Sequence, residues 1–382
     1  MHTCDVAVIG LGLMGSAALY ALVRQGADVL GFDPLPVGSD RGSSHGSCRV
    51  FRRFNAENPA YTALSDRAFA GWRALEAANG STVLLPSPVL EAGPGGCGSV
   101  AASRAAALAA GGVPTGPRTG AEANAAYPAF RLPNDWDVVV QESGGILLAE
   151  TAMRAFREGA GDRIIPEAAR LTPTRAGLRI TTATQEIMAA QAIVATGPWI
   201  GELIPALQPH LVVTRQTVGW FRPADPAPAA YGRFPVFLLE GPHGFIYGFP
   251  DFEGRGVKAA QHDHGPPALP DAWAPPASDI ELAPVARTLA ALIPGAAGPI
   301  VERDVCLYTN TRPADVRSDN GEEFIIDRLP QDPRIIVASP CSGHGAKFAS
   351  AIGEMLASLA LEPAFQVDPA FRLGRFSSFA AA

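Results

Sequence analysis

Hydrophobic and polar positions change their spacing twice within the first 33 residues. Residues 5–9 form an apolar run that predicts a β-strand, and apolar positions three and four apart from Leu13 to about Gln25 predict a helix. Residues 28–33 return to a strand-like pattern. The chain is therefore predicted to begin with a strand–helix–strand unit, which makes up one half of a dinucleotide-binding fold.

A second helical pattern occupies residues 59–78, after a loop rich in Gly and Ser. The large apolar side chains of this helix are predicted to share one buried face: Tyr61, Leu64, Phe69, Trp72 and Leu75. Shorter patterns predict a further helix near residues 100–110 and a strand at residues 137–141.

The middle of the chain differs in character from its ends. Between residues 212 and 305, short apolar runs separated by turn residues predict a mostly β region with one helix near residues 280–292. We therefore predict an α/β (α+β) protein with two domains. The α/β domain is expected to be discontinuous, with residues 1–84, 146–213 and 311–382, and the β-rich domain to comprise residues 85–145 and 214–310.

Composition narrows the possible functions. The chain has 382 residues, of which 47% are hydrophobic and 18% charged, and this is enough apolar material for a large core. Its formal net charge of -7 gives no broad cationic field that would attract nucleic acid or an acidic membrane surface. No apolar stretch reaches the roughly 20 residues that span a bilayer. We expect a small molecule as the binding partner, and neither a nucleic acid nor a membrane.

The five cysteines do not form a recognisable set. They are scattered, odd in number and lack the paired spacing of a zinc site or a redox dithiol: Cys4, Cys48, Cys97, Cys306 and Cys341. No cluster of His, Asp and Glu suggests a metal site either. The first strand begins too close to Met1 for a signal peptide to precede it, so a cytoplasmic location is expected.

A glycine motif lies where the first predicted strand meets the first predicted helix. The spacing of Gly10, Gly12 and Gly15 permits a tight turn, close approach of the backbone to a pyrophosphate, and close packing of helix on strand. Asp33, at the end of the second strand, is placed to accept hydrogen bonds from an adenosine ribose. The motif predicts a dinucleotide site, although a glycine cluster can also arise by chance, and the motif alone does not separate NAD from FAD.

Four further motifs follow one another along the chain. They are GSSHGSCRVFR at residues 42–52, YGFP at residues 247–250 with Lys258 and His262 beyond it, CLYT at residues 306–309, and SGHGAKF at residues 342–348. Together with residues 371–376, they resemble the monomeric sarcosine oxidase and N-methyltryptophan oxidase family over nearly the whole chain.

The resemblance implies a flavoprotein with a glutathione-reductase-like, FAD-binding Rossmann domain and an inserted, β-rich substrate domain. Cys306 matches the cysteine whose sulfur is bonded to the flavin 8α-methyl group in this family. Such an anchor is expected to react as a thiolate, in surroundings that lower its pKa. By residue type alone, an isolated cysteine is more often a buried structural thiol. The match implies these further cofactor contacts: Ser43, His45, Arg49, Gly343, His344, Gly345 and Lys347.

The resemblance also implies which groups meet the substrate. Arg52 and Lys347 match positions that bind its carboxylate, for which a guanidinium and an ammonium are both suited, and Arg49 matches a position over the flavin ring. Lys258 matches a lysine on the flavin face opposite the substrate that assists the reaction with oxygen. By residue type alone, a solvated arginine turn and a lysine on an edge strand remain alternatives. Three further active-site side chains are implied by the match: His262, Tyr247 and Tyr308.

The implied function is oxidation of a secondary amino acid, with an N-methyl or a cyclic amine. A hydride passes to flavin N5, the imine hydrolyses, and O2 is reduced to H2O2 by a monomeric enzyme. Three alternatives remain at this point: a glycine- or D-amino-acid-oxidase-like enzyme with non-covalent FAD, a nicotinamide-dependent dehydrogenase built on the same glycine motif, and a non-catalytic flavin-binding module.

Three features depart from the family pattern. Ser47 and Cys48 stand where Asp and Thr are usual, Ala346 replaces an aromatic residue, and the segment of residues 312–322 is longer than usual. Because that segment is expected to border the substrate cavity, the identity of the substrate is the expectation most affected. The residue types leave open whether Cys48 reacts or packs.

Overall fold

The computed structural model describes residues 2–55, 59–111, 116–262, 265–272, 275–312 and 323–379. Within these ranges the α-helices are α1 (Leu13–Arg24), α2 (Pro59–Asn79), α3 (Gly98–Ala109), α4 (Gly120–Ala126), α5 (Ala149–Ala160), α6 (Ile200–Leu203), α7 (Asp279–Leu292) and α8 (Ala349–Leu361). Most of the long segment after Thr311, predicted above to border the cavity, lies outside the described residues.

The β-strands fall into three sheets. They are β1 (His2–Ile9), β2 (Val29–Phe32), β3 (Cys48–Phe51), β4 (Leu84–Pro86), β5 (Val89–Gly93), β6 (Asp137–Gln141), β7 (Gly145–Leu148), β8 (Ile164–Ile165), β9 (Arg170–Pro173), β10 (Leu178–Thr181), β11 (Glu186–Val194), β12 (Leu211–Phe221), β13 (Val236–Gly241), β14 (Gly244–Phe249), β15 (Val257–Gln261), β16 (Ile300–Thr311), β17 (Ile325–Leu329) and β18 (Asp332–Ser339).

An eight-stranded sheet forms the centre of the α/β part. Its main path runs β17-β18-β11-β1-β2-β8, and the β9–β10 hairpin is attached to β11. Strand β1 pairs in parallel with β11 on one side and with β2 on the other. Because ligands of such sheets bind beyond the carboxyl ends of the strands, the turn that follows Ile9 lies where a dinucleotide site is expected.

Alternate residues of β1 enter different hydrophobic cores, so both faces of this sheet are covered. Val6 and Val8 pack with α1, α2, α5 and α8. Ala7 and Ile9 pack with β10, β11 and the C-terminal segment. Burial on both faces explains the unbroken apolar run that predicted this strand.

A seven-stranded sheet forms the β-rich part, in the order β16-β12-β15-β14-β13-β5-β6. Its two longest strands, β12 and β16, are antiparallel, and their register places Gln216 opposite Cys306 and Thr214 opposite Tyr308. Helix α7 packs on this sheet in a separate core. The third sheet, β3-β7-β4, contains the Arg49 segment. The mixed α/β fold predicted from the sequence is confirmed.

One predicted core residue is wrong. In α2, Tyr61, Leu64, Trp72 and Leu75 are buried, but Phe69 is 39% exposed. The buried stripe passes through Ala68 instead. Steps of four residues from Leu64 lead to Ala68 and then to Trp72, and Phe69 lies one residue away from that line. The size of Phe69 made it a misleading guide to the buried face.

Candidate active site

The glycine motif forms the turn between β1 and α1. Gly10 has a φ of +87°, a left-handed conformation that favours glycine. A β-carbon at Gly15 would lie 1.8 Å from the carbonyl oxygen of Gly10, so the first turn of α1 packs directly on the turn. Gly12 approaches Ser44, whose Oγ accepts a hydrogen bond from the N–H of Leu13 at 3.0 Å. The beginning of α1 is thereby held against the loop that follows β2.

Asp33 is fixed beside this turn by several donors. Its carboxylate accepts hydrogen bonds from the backbone N–H groups of Leu11 at 2.6 Å and Leu35 at 2.8 Å, and from Nη2 of Arg157 at 3.4 Å. Asp33 also lines the larger of the two cavities described below, together with Gly10 and Gly12. Arg157, in α5, was not predicted from the sequence, because nothing local to it marks a contact with a residue 124 positions earlier.

Replacing Gly15 by Ala is expected to destabilise the protein and to weaken cofactor retention. The added methyl group must displace the carbonyl of Gly10, and overpacking of this kind costs about 1–3 kcal/mol. Thermal unfolding and the flavin content of the purified protein measure the effect. Gly98→Ala is the matched control, because a β-carbon there meets no atom within 4 Å. Equal melting temperatures and flavin contents in the two variants would contradict the close packing at Gly15.

The larger cavity has a volume of about 400 Å³ and runs along the glycine turn. Ser43, Gly343 and Gly345, all predicted to contact the cofactor, line it together with Cys341. Three buried hydroxyl groups on its wall have no hydrogen-bond partner among the described residues: Ser43 Oγ, Thr196 Oγ1 and Ser339 Oγ. Buried polar atoms rarely stay unsatisfied, so these hydroxyls fit a cavity that takes a polar, elongated ligand such as FAD.

A smaller cavity of about 110 Å³ adjoins the first. Five residues line both: His45, Arg49, Tyr308, Gly343 and Ala346. The smaller cavity brings together ten side chains that the sequence predicted for the site: His45, Arg49, Arg52, Tyr247, Lys258, His262, Cys306, Tyr308, His344 and Lys347. Motifs up to 300 residues apart thus meet around one space.

One face of β16 supplies three groups to this cavity. Asp304, Cys306 and Tyr308 alternate along the strand and all line it. Asp304 was not predicted from the sequence, although the alternation from Cys306 was a usable signal. Its Oδ1 lies 3.4 Å from Nε2 of the buried His45. Burial by itself would raise the pKa of Asp304, but the hydrogen bond and charge of His45, the N–H of Val305 and the charge of Lys258 together outweigh burial, and the pKa is lower than usual.

The surroundings of Cys306 differ from the expectation for a reactive thiol. Burial raises its pKa, and the nearby cations of Arg49 and Lys258 offset only part of that effect. The expectation that the site lowers the pKa of this thiol is therefore wrong. Motif spacing reveals neither the depth at which a strand residue is buried nor the desolvation of the thiolate that follows from it. Cys48, whose role was left open above, is buried in a small apolar core and also lines the smaller cavity.

Arg49 is a fixed cation rather than part of a solvated turn. Its guanidinium donates to the backbone carbonyls of Ser43 at 2.9 Å, His45 at 2.7 Å and Cys48 at 2.8 Å. The alternative of a surface arginine fits only Arg53, which is exposed and paired with Asp66. The hydrogen bonds of Arg49 also hold the loop of residues 43–48 along the wall of both cavities.

Lys258 lies in the interior of the seven-stranded sheet. Strand β15 is flanked by β12 and β14, and the lysine side chain is only 6% exposed, so the alternative of an edge-strand lysine is wrong. Its Nζ lies 5.0 Å from the ring centre of Trp220 and 5.7 Å from that of Phe249. Two aromatic faces partly compensate the buried ammonium.

The phenols of Tyr247 and Tyr308 line the smaller cavity together with Arg49 and Lys258. Burial raises the pKa of Tyr247 to about 12, and burial also raises the pKa of Tyr308 well above its ordinary value. Both phenols are therefore neutral at physiological pH and can act only as hydrogen-bonding groups. The ring of His262 lies near both, with centroid distances of 6.2 Å to Tyr247 and 5.8 Å to Tyr308.

Arg52 and Lys347, the two groups predicted for a substrate carboxylate, are referred to here as the carboxylate subsite. Lys347 is buried, and its Nζ donates to the carbonyl of His344 at 3.0 Å. Nη1 of Arg52 lies 3.5 Å from Oε2 of Glu91. Glu91 is a second acidic residue that the sequence did not predict, because it lies in an otherwise apolar strand with no recognisable motif.

Two kinds of feature are absent from the described part of the chain. It contains no group of three or more His, Cys, Asp or Glu side chains arranged to hold a metal ion. In the same ranges, no helix is both long enough and apolar enough to cross a membrane.

Comparison with known proteins agrees with this geometry. A family model described as FAD dependent oxidoreductase matches residues 5–359. Monomeric sarcosine oxidase of Bacillus sp. (strain B-0618) is 32% identical over 372 residues, which cover 94% of this chain and 92% of the relative. N-methyl-L-tryptophan oxidase of Yersinia pestis (strain Pestoides F) is 29% identical over 381 residues, covering 97% and 99%.

The fold is also that of a solved amino acid oxidase. The open form of NikD, an unusual amino acid oxidase essential for nikkomycin biosynthesis, superposes with a TM-score of 0.81 at 19% identity, over 96% of each chain. The resemblance inferred from the sequence motifs is confirmed. The chain belongs to the FAD-dependent oxidoreductases, in the family that contains monomeric sarcosine oxidase and N-methyl-L-tryptophan oxidase.

Proposed function

We propose that this protein oxidises small secondary amino acids of the sarcosine type, with an N-methyl or a cyclic amine, and passes the electrons to O2 with release of H2O2. The observation that carries this proposal is the smaller cavity. It adjoins the cavity that fits FAD and is lined by the buried Lys347 and the largely buried Arg52, as well as by apolar and aromatic side chains. The names of the relatives support the same chemistry.

The residues of the larger cavity would hold FAD. The glycine turn and the N-terminus of α1 suit its pyrophosphate, Asp33 suits its adenosine ribose, and the residue 43–49 and 343–345 loops lead to the smaller cavity. FAD, when bound, supplies the two-electron acceptor for the amine and the donor for O2. Family membership favours it over a nicotinamide cofactor.

Arg52 and Lys347 bind the carboxylate of the substrate in this proposal. Both are positively charged donors in a largely buried space, where charge-assisted hydrogen bonds are strong. Val218, Leu238 and Phe245 line the same cavity and suit the apolar part of a small amine. The neutral phenols of Tyr247 and Tyr308 and the ring of His262 line the remaining wall and orient the amine by hydrogen bonds. The imine product is released to water and hydrolyses there.

Lys258 assists the oxygen reaction in this proposal. Its ammonium is buried, is held between two aromatic rings, and lines the cavity beside Cys306. A fixed positive charge in a site of low dielectric constant stabilises the negative charge that forms when O2 accepts an electron. Lys258 therefore acts on the second half of the reaction, whereas Arg52 and Lys347 act on the first.

We also propose a covalent bond between Cys306 and FAD, an FAD-binding domain of residues 1–84, 146–213 and 311–382, and a monomeric protein. Cys306 supports the bond by its position, since it lines the smaller cavity together with Arg49 and Tyr308, which also line the larger one. The eight-stranded sheet draws its strands from residues 2–32, 164–194 and 325–339, which supports the domain boundaries.

Replacing Arg52 by Ala is expected to raise the KM for sarcosine about ten- to hundredfold, with a smaller change in kcat. Loss of a charge-assisted hydrogen bond to a carboxylate costs about 1.5–3 kcal/mol. Steady-state peroxide formation at varied sarcosine concentration measures the change. Arg53→Ala is the matched control, because Arg53 is exposed and pairs with Asp66 at the surface. An unchanged KM in Arg52→Ala would remove Arg52 from the carboxylate subsite.

The proposed substrate class is tested by a panel of amines. Sarcosine, N-methyl-L-tryptophan, L-proline, L-pipecolate, glycine and a D-amino acid are incubated with the holoenzyme in air, and H2O2 is measured. The proposal predicts turnover of a small N-methyl or cyclic amino acid and slower turnover of glycine and the D-amino acid. Faster turnover of a primary amine would favour the glycine- or D-amino-acid-oxidase alternative.

A further inference from the structure

A buried carboxylate lies beside the carboxylate subsite. Glu91, in β5, is 5% exposed, and its Oε2 is 3.5 Å from Nη1 of Arg52. The side chain of Arg52 is itself only 12% exposed. Charges this deeply buried are stable only with a partner of opposite sign. Glu91 is thus a counter-ion of Arg52 that belongs to the protein.

Both carboxylate oxygens of Glu91 accept hydrogen bonds from neighbouring side chains. Ser103 Oγ donates to Oε2 at 2.7 Å, and Gln141 Nε2 donates to Oε1 at 2.8 Å. The amide of Gln141 cannot turn round without loss, because its Oε1 accepts from the N–H of Phe54 at 3.0 Å and its Nε2 donates to the carbonyl of Phe54 at 3.1 Å. Both oxygens of Glu91 therefore face donors, which is the environment of a carboxylate.

The same contacts connect Glu91 to the backbone that carries Arg52. Gln141 holds Phe54, two residues after Arg52, and Ser65 Oγ donates to the carbonyl of Arg52 at 3.1 Å. The backbone next to Arg52 is therefore anchored to β6 and α2. The arginine side chain meets an anion whose position is set by β5 and α3. Glu91 can act on the guanidinium without any rearrangement of the chain.

The charges set a limit on what the carboxylate subsite can bind. Glu91 lies against Arg52, so its negative charge offsets the positive charge of that guanidinium. A guanidinium has five N–H donors, so Glu91 and a substrate carboxylate can both contact Arg52. Glu91 and the substrate carboxylate nevertheless repel each other across the guanidinium, and this repulsion lowers the affinity for the substrate.

We propose that Glu91 is a specificity-determining residue. It is a resident anion that moderates the affinity of Arg52 for the substrate carboxylate and restricts the subsite to amino acids with one carboxylate. A second carboxylate brought close to Arg52 is repelled by Glu91, whose Oε2 lies 3.5 Å from that guanidinium. This inference rests on the proposed function, which assigns the substrate carboxylate to Arg52.

The test compares acetate and acetamide as ligands of the holoenzyme and of Glu91→Gln. Binding is followed by the change in the visible flavin spectrum. The Kd for acetate is expected to fall about a hundredfold in the variant, as the loss of one charge roughly 6 Å from the bound anion predicts at an effective dielectric constant near 20. The Kd for acetamide, which has no charge, is expected to stay constant. The KM for sarcosine falls with kcat unchanged, and kcat/KM for N-methylaspartate rises more than that for sarcosine.

A Kd that falls for acetate but not for acetamide distinguishes the proposed role of Glu91 from a purely structural role. Damage to the fold would weaken the binding of both ligands or lower kcat, and it would not lower the Kd for acetate alone. Ser103→Ala is the matched control, since it removes a hydrogen bond to Glu91 but leaves the charge in place, and its acetate Kd should stay near that of the parent. An acetate Kd that is unchanged or higher in folded Glu91→Gln would overturn the proposal.

A second variant covers the case in which Glu91→Gln does not fold. The double variant Arg52→Gln/Glu91→Gln removes both charges of the pair. Recovery of folded holoenzyme in the double variant would support the charge partnership, and failure to recover it would overturn the proposal. If no amine is oxidised by the parent protein, the proposed function fails, whereas the ratio of acetate Kd values still reports on Glu91.

Discussion

Replacement of Lys258 by Met is expected to slow the oxygen reaction of the reduced enzyme about 10²–10³-fold, as the loss of one fixed electrostatic group in an active site typically does. Methionine retains much of the length and apolar surface of the lysine stem but lacks the ammonium. The lysine is buried between Trp220 and Phe249, and no other basic side chain among the described residues lies over both of those rings. The rate is measured by mixing photoreduced enzyme with oxygenated buffer and following the return of the flavin absorbance.

Anaerobic reduction by sarcosine is the internal control for this variant. It should change much less than the oxygen reaction, because Arg52 and Lys347 remain to bind the carboxylate. Lys258→Arg, which keeps a positive charge, should recover part of the oxygen rate. Equal slowing of both half-reactions in Lys258→Met would show that the lysine supports the shape of the cavity and has no particular role towards O2.

Replacement of Cys306 by Ala is expected to abolish covalent attachment of the flavin completely. Cys306 lines the smaller cavity and lies on the same face of β16 as Asp304 and Tyr308. Flavin fluorescence of the protein band on a denaturing gel measures attachment, and acid precipitation shows whether the colour remains with the pellet. The parent protein should keep its colour in the pellet, and the variant should release it.

Cys341→Ala is the matched control for the anchor. Cys341 lines the larger cavity, and its Sγ accepts a hydrogen bond from the N–H of Thr309, so it is the second thiol that borders the proposed cofactor site. The covalent band should persist in this variant. A fluorescent band that survives in Cys306→Ala and disappears in Cys341→Ala would move the anchor from β16 to the loop that follows β18. Release of the flavin from the parent protein by acid would favour the non-covalent alternative.

The sequence predicted those parts of the fold that depend on local pattern. The β1–α1–β2 unit was predictable because the apolar period changes with each element and the glycines mark the turn between them. The β-rich middle was predictable for a similar reason. Phe69 was misassigned because helix phase decides burial, and a large apolar side chain next to the buried stripe can still face solvent.

The sequence predicted the site residues that lie in recognisable motifs. It did not predict the residues whose contacts are with partners distant in the sequence. Arg49, Lys258 and Lys347 each belong to a short motif, and the structure brings them to one cavity. Glu91 and Arg157 lie in ordinary helix and strand patterns, and their partners Arg52 and Asp33 are 39 and 124 residues away. The raised pKa of Cys306 also depends on burial by distant strands, which no local pattern records.

Anaerobic titration of the purified holoenzyme with sarcosine tests the central claim most directly, because it requires a bound flavin and an amino acid in the smaller cavity at the same time. The account predicts that the visible flavin absorbance is lost with sarcosine or a small cyclic amino acid, and returns with one equivalent of H2O2 when air is admitted. A protein that carries flavin but keeps its full absorbance with every N-methyl and cyclic amino acid would contradict the account.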